Sequence, residues 1–255
     1  MTKDARALAT SPETVKERME TTLKAIDTMT EQNRIRATFA TRHRDKRYTW
    51  SDPAYTFMMQ GIERRVLGAM SRSGLSSLSG KRVLEIGCGS GHWLRELVQW
   101  GVDPRDVVGV DLVPSRLHDA ERLCAKGVRV YCGDGGALAL RSDSFDVVMQ
   151  VTVFTSILDP DLKRRVALEM LRVVKQDGLI LWYDFHIQNP ANPNVRAVGK
   201  REIRDLFPGC AINLRRLTLA PPLTRILAPR SWLLCHGLES ISLLCTHYLG
   251  VIRKR

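Results

Sequence analysis

The stretch that decides the fold runs from residue 82 to residue 92 and reads Arg-Val-Leu-Glu-Ile-Gly-Cys-Gly-Ser-Gly-His. A short apolar run ends in three alternating glycines, and a helical pattern over residues 92–100 follows them. Glycine lets the backbone approach a ligand closely, and the first turn of a helix offers free N–H groups. The stretch therefore predicts a strand, a ligand-binding turn and a helix, in that order.

Two phosphate-binding patterns are excluded at this turn. A phosphate loop requires G-x-x-x-x-G-K-[ST], which the sequence lacks. A dinucleotide fingerprint requires G-x-G-x-x-G, and its last position, counted from Gly87, is His92. What remains is an acidic residue, Glu85, followed by G-x-G-x-G.

Similar apolar runs recur on the C-terminal side of the turn. They lie at residues 107–111, 128–131, 145–149, 179–183, 211–219 and 246–253. Helical patterns separate most of them, at residues 92–100, 115–126, 160–175 and 200–207. Alternating strands and helices predict an α/β fold, namely a Rossmann-like, seven-stranded, mostly parallel sheet with helices on both faces.

Residues 1–79 are predicted to form an N-terminal helical extension, or cap, and residues 80–255 the main domain. Ser11-Pro12 and Asp52-Pro53 each place an N-cap residue before a proline, which is typical of a helix start. The first helix is expected to end near Asn33. An insert at about 221–244 is apolar with scattered Arg and His, which predicts a cover for a binding pocket or a peripheral contact with a membrane.

The acidic residue and G-x-G-x-G turn resemble motif I of the class I S-adenosylmethionine-dependent methyltransferases, and the resemblance continues in register over about residues 81–185. It implies S-adenosyl-L-methionine as cofactor. In this family a carboxylate at the second strand holds the ribose hydroxyls, one after the third strand faces the adenine amino group, and the end of the fourth strand lines the methionine moiety. The implied cofactor-binding residues are Glu85, Gly87, Cys88, Gly89, Gly91, Asp111, Leu112, Asp134, Gly135, Gln150 and Val151. Tyr48 is added as a residue that closes over the cofactor, stacks on the acceptor or simply packs.

The acceptor chemistry is less constrained. Residues 181–185 and 228–235 resemble a bacterial subgroup associated with small-molecule or glycan modification, which implies methyl transfer to oxygen or nitrogen of such an acceptor. A base for the acceptor proton is expected at the carboxyl edge of the sheet. His186 is the first candidate and Asp184 and Tyr183 are alternatives. No metal is expected, because Asp184 precedes Phe185 and not the Asn of the metal-dependent catechol-type subgroup.

Composition narrows the partners. The 255 residues carry 39 Lys and Arg against 27 Asp and Glu, so the net charge of +12 favours an anionic partner or a well-solvated surface. Few aromatic residues accompany the basic stretch 42–47, which disfavours nucleic acid as a partner. An RNA methyltransferase and a non-catalytic cofactor-binding scaffold stay open as alternatives. Six cysteines without a C-x-x-C pair, no signal-like leader and no apolar run of membrane-spanning length predict a cytoplasmic location. The oligomeric state stays open.

Overall fold

The computed structural model describes residues 12–40 and 49–255. Its helices are α1 (Pro12–Phe39), α2 (Pro53–Arg72), α3 (His92–Gln99), α4 (Pro114–Leu123), α5 (Pro160–Val173), α6 (Lys200–Leu206), α7 (Pro221–Leu227) and α8 (Trp232–Glu239). Its strands are β1 (Val83–Ile86), β2 (Val107–Asp111), β3 (Arg129–Cys132), β4 (Phe145–Val151), β5 (Val174–Phe185), β6 (Ala211–Leu219) and β7 (Cys245–Arg253).

The strands form one seven-stranded sheet in the order β3-β2-β1-β4-β5-β7-β6. The pairs from β3 to β5 are parallel, and β7 is antiparallel to both of its neighbours. The predicted α/β fold is therefore confirmed. The carboxyl ends of β1, β2, β4 and β5 share one edge, which we call the carboxyl edge.

Two apolar layers cover the two faces of the sheet. Trp182, Phe154 and Phe207 lie in the layer beneath α5 and α6. On the opposite face, Leu94 and Leu97 of α3 pack with apolar side chains of α2, so that α2 and α3 cover this face of the sheet. Burial on both faces explains why the central strands are almost wholly apolar rather than alternating.

The two largest differences from the predicted element boundaries are at the end of α1 and at the start of β5. Helix α1 continues to Phe39, six residues beyond Asn33, because its last turns contact the carboxyl edge. Strand β5 begins at Val174, five residues before the predicted run at residues 179–183, so the predicted start of this strand is wrong. The register between β4 and β5 shifts there, and Gly178 is needed because a Cβ would lie 2.9 Å from the Asp146 carbonyl oxygen.

No helix in the described part of the chain has the length and apolar character needed to cross a membrane.

Candidate active site

The turn after β1 has a backbone that only glycine adopts without strain. Gly87, Gly89 and Gly91 have φ angles of +74°, +53° and +76°. A Cβ on Gly87 would overlap Val153, and one on Gly91 would lie 2.6 Å from the Cys124 sulfur. The three glycines therefore form a cradle at the carboxyl edge that side chains would fill.

Asp111, the last residue of β2, holds this cradle in place. Its Oδ2 accepts a hydrogen bond from the Gly89 N–H at 2.8 Å, and its Oδ1 accepts one from Val113 at 2.8 Å. The Leu112 carbonyl accepts from Nε of Arg36 at 3.3 Å, so α1 reaches the same strand end. The side chain predicted to contact a cofactor thus also fixes the turn that would carry it.

Arg116 is a residue at this turn that the motif did not predict. Its guanidinium lies where a Cβ of Gly89 would point, and its Nη1 is 3.9 Å from Asp111 Oδ2. The side chain is partly exposed, so it is able to move. Any ligand that rests on Gly89 must displace this guanidinium or contact it.

Two predicted residues lie beneath the turn rather than facing it. Glu85 is buried, and its Oε2 has no hydrogen-bond partner in the described structure. Burial, with a smaller effect from the Asp111 charge, raises the pKa of Glu85 well above its ordinary value. The Cys88 side chain packs on Gly109 of β2, and burial raises the pKa of its thiol. Cys88 therefore fills space below the cradle.

Asp134 follows β3 and is already engaged on both carboxylate oxygens. Oδ1 accepts from the Gly136 N–H at 2.7 Å, and Oδ2 accepts from Nε2 of Gln32 at 2.8 Å. Neighbouring Gly135 lies against β1, since a Cβ there would be 2.9 Å from Ile86. Gln32 comes from α1 and gave no signal in the sequence.

The C-terminal half of α1 lies across the carboxyl edge. Glu31 is buried, accepts from the Leu158 N–H at 2.5 Å and forms a 2.7 Å ion pair with Arg34. Arg34 in turn donates to the carbonyls of Ser156, at 2.6 Å, and Asn194, at 3.3 Å. Helix α1 thereby bridges the segment after β4 and the loop at residues 186–196.

The end of β4 is tied to β5 by buried polar groups. Gln150 Oε1 accepts from the Val153 N–H at 3.0 Å, and Val151 is paired with Tyr183 in the sheet. Asp184 accepts from the Thr155 hydroxyl and from the Phe154 N–H. Burial raises the pKa of Asp184 to about 7, although the hydrogen bond from Thr155 opposes the shift.

The other two candidate bases have different surroundings. The Tyr183 hydroxyl is buried within 2.8 Å of the Thr218 hydroxyl, and burial raises its pKa. His186 is partly buried; its Nε2 lies 3.2 Å from the Cys245 carbonyl oxygen, and its ring stacks on Tyr248 at 4.1 Å. Burial, with a smaller effect from Arg216, lowers the pKa of His186. His186 is thus the most accessible of the three candidate bases. Tyr48, which was predicted to close over the cofactor or stack on the acceptor, lies outside the described residues.

One group with the side chains of a metal site occurs in the described ranges. Glu63 of α2 and His92 and Glu96 of α3 place ligand atoms within 4.8 Å of one another. His92 Nε2 is 3.3 Å from Glu63 Oε1 without the geometry of a hydrogen bond. Burial raises the pKa of Glu63 to about 7 and lowers that of His92 to about 4. The group is separate from Asp184, and the expectation of no metal stays a prediction.

Comparison with known proteins relates the central segment to a family. Residues 83–178 match the family model described as "Methyltransferase domain". The chain is 30% identical over 154 residues to the phthiotriol/phenolphthiotriol dimycocerosates methyltransferase of Mycobacterium leprae, covering 55% of this chain and 54% of that protein. It is 38% identical over 133 residues to the ubiquinone biosynthesis O-methyltransferase of Azorhizobium caulinodans, covering 51% and 50%.

A third relative is named for a nucleic-acid acceptor. The tRNA N(3)-cytidine methyltransferase of Gallus gallus is 30% identical over 112 residues, which cover 41% of this chain and 30% of that protein. The chain thus spans about half the length, or less, of the curated relatives that it matches. Its fold matches a SAM-dependent methyltransferase from Archaeoglobus fulgidus with a TM-score of 0.53 at 16% identity, covering 79% of this chain and 99% of that one.

Proposed function

We propose that this chain, a class I S-adenosylmethionine-dependent methyltransferase by its domain match and its fold, transfers a methyl group to oxygen or nitrogen of an acceptor. The acceptor is proposed to be a small molecule or a glycan-like compound. The observation that carries the proposal is the glycine cradle held by Asp111 at the carboxyl edge. Ligands of open α/β sheets bind at this edge. A cytoplasmic location is part of the proposal.

The residues at the edge fit the family's cofactor. Each oxygen of Asp111 holds one backbone N–H and keeps a second lone pair for the ribose hydroxyls. Asp134 would accept from the adenine amino group beside Gln32. Gln150 and Val151 would border the methionine moiety. When bound, S-adenosylmethionine supplies an electrophilic methyl group, and the protein contributes alignment and proton removal.

We assign proton removal to His186 through its Nδ1 atom. A proton on Nε2 would be donated to the Cys245 carbonyl oxygen, which leaves Nδ1 unprotonated and able to accept. The pKa of His186 is lowered, so the neutral ring prevails at pH 7. Asp184 and Tyr183 are the alternatives, but their polar atoms are bonded inside the protein.

The acceptor pocket is proposed to lie between α1, α2, the loop at 186–196 and the insert at 221–244. Arg34 supports this, since it joins α1 to the loop at Asn194. Two relatives are named for ubiquinone and for a dimycocerosate, so a hydrophobic acceptor with a hydroxyl group is the first class to test. Residues 1–79 would serve as the cap and residues 80–255 as the catalytic domain.

A nucleic-acid acceptor is the second candidate, because one relative is named for tRNA and the net charge is +12. Against it, Arg34 and Arg36 of the basic N-terminal region donate to carbonyls of the chain itself. RNA binding that falls steeply with salt would favour this candidate.

The test is single-turnover transfer of labelled methyl groups to isoprenoid phenols, glycans and total tRNA. We expect transfer to a phenol or another small acceptor, and a His186→Ala rate lower by roughly 10²–10⁴-fold at unchanged cofactor affinity. The matched control is His118→Ala, at an exposed histidine of α4. Methylated tRNA alone would select the second candidate, and cofactor binding without any transfer would indicate a scaffold. A parent-like rate for His186→Ala would reject His186 as the base.

A further inference from the structure

The insert between β6 and β7 carries an unusual share of exposed apolar side chains. Six large ones are exposed within 18 residues: Ile226, Trp232, Leu233, Leu234, Ile241 and Leu243. Leu233 is 83% exposed and Leu243 is 78% exposed. We call this set the insert surface. A cluster of exposed apolar residues marks an interaction site more often than isolated ones do.

The insert surface is held by a packed inner side. Trp232 meets the Phe57 ring of α2 edge-on at 5.7 Å, and Cys235 is fully buried. Glu239 accepts from the Thr218 N–H at 3.2 Å and lies 3.6 Å from an Arg65 nitrogen. The outward-facing leucines therefore belong to anchored elements and are not the loose tip of a loop.

The insert also lies at the edge that carries the candidate active site. Strand β6 ends at Leu219, which pairs with Cys245 at the start of β7. Two residues later, His247 pairs with Phe185, the last residue of β5. Because β5 and β1 run in the same direction, the chain enters and leaves the insert at the carboxyl edge, on the side where an acceptor would approach.

The charges at this surface favour an anionic partner. Residues 221–244 contain two exposed arginines, Arg225 and Arg230, and one acidic residue, Glu239. Arg230 Nη1 donates to the Ile226 carbonyl at 2.6 Å, but the side chain stays exposed to solvent. Glu239 is buried, so it does not offset the arginines outside. A symmetric contact with a second copy would bring these like charges together. A surface that combines exposed apolar side chains with exposed arginines matches a bilayer that contains anionic lipid.

We propose that the insert surface docks this protein on anionic bilayers, with the Leu233 and Leu243 side chains entering the interface and Arg225 and Arg230 meeting the headgroups. Docking would bring the carboxyl edge to acceptors dissolved in the membrane. The inference does not depend on methyl transfer, since docking is measurable without a methyl donor.

The test is co-sedimentation of the full chain with vesicles of phosphatidylcholine alone or with about three parts phosphatidylglycerol to seven of phosphatidylcholine. The parent should bind the anionic vesicles. Leu233→Glu with Leu243→Glu should bind at least tenfold more weakly, because two apolar contacts are lost and two negative charges gained. The matched control is Leu123→Glu with Leu168→Glu, which makes the same change at exposed leucines of α4 and α5 and should stay within about twofold of the parent.

Further measurements test the role of the arginines and distinguish a bilayer from a second copy of this chain. Arg225→Gln with Arg230→Gln should weaken binding and reduce its dependence on salt. The melting temperature of each variant shows that it is folded. The proposal is overturned if the parent does not bind anionic vesicles. It is also overturned if the Leu233/Leu243 and the Leu123/Leu168 double substitutions weaken binding equally. It is also overturned if the parent sediments as a dimer that the insert variant splits while vesicle binding is unchanged, because the surface would then belong to a second copy.

Discussion

Asp111 Oδ2 accepts a hydrogen bond from the Gly89 N–H at 2.8 Å, which ties the end of β2 to the turn after β1. A second bond, from Val113 to Oδ1, fixes the carboxylate from the other side. The turn is therefore held in shape by the protein's own hydrogen bonds. In the proposed complex, the same carboxylate would serve both the turn and the ribose.

Asp111→Ala should consequently cost stability as well as cofactor affinity. Removing a buried carboxylate leaves two N–H groups without acceptors, and each unsatisfied group lowers the free energy of unfolding by about 1–3 kcal/mol. We expect a lower melting temperature without ligand, and at least tenfold weaker binding of S-adenosylhomocysteine by calorimetry. Asp119→Ala, at a partly exposed residue of α4, is the control. An unchanged melting temperature would show that Asp111 does not support the turn.

Gly89→Ala tests the cradle separately from general backbone strain. Gly80 has a similar positive φ of +70°, but a Cβ on Gly80 would meet no atom within 4 Å, whereas a Cβ on Gly89 would meet Arg116. Both substitutions strain the backbone by about 1–2 kcal/mol. We predict that Gly89→Ala alone lowers the affinity for S-adenosylhomocysteine, by tenfold or more. Equal affinity for the two variants would mean that no ligand approaches Gly89.

Glu31 should keep α1 in place over the carboxyl edge. Burial raises its pKa, but the hydrogen bonds from Arg34 and Leu158 outweigh that effect, so the pKa is lowered and the charged form is favoured. Its contribution to stability is present above the unfolded pKa and is lost as the pH falls. Glu31→Gln should speed amide exchange in α1 about 10- to 100-fold, whereas Glu121→Gln, at an exposed residue of α4, should not. Exchange rates equal to the parent's would contradict this role.

Asp184 should make stability depend on pH in the opposite direction from Glu31. Its folded pKa is raised to about 7 from 3.8, so the folded state binds more protons than the unfolded state between these values. The free energy of unfolding therefore decreases as the pH rises from about 4 to 7, by up to about 1.4 kcal/mol per pH unit. In Asp184→Asn this part of the slope should vanish, while the part due to Glu63 remains. Urea titrations at several pH values measure it, and a slope identical to the parent's would refute the assignment.

The sequence predicted the sheet well because its signals are local. Apolar runs mark the central strands, and β2 and β6 have the predicted bounds. The glycine turn and Asp111 were predicted because they are adjacent to a strand in the chain. The contacts of Gln32 with Asp134 and of Arg116 with Gly89 join residues far apart in sequence, or depend on a side-chain direction, so no spacing reveals them. The roles of His186 and the other candidate site residues stay predictions.

We propose that the cradle after β1 holds S-adenosylmethionine. The decisive measurement is isothermal titration of the full chain with S-adenosylmethionine, S-adenosylhomocysteine and NAD. We expect saturable binding of both sulfur compounds at one site and no binding of NAD. If neither sulfur compound gives a heat of binding, or if NAD binds more tightly than both, the cradle does not hold this cofactor.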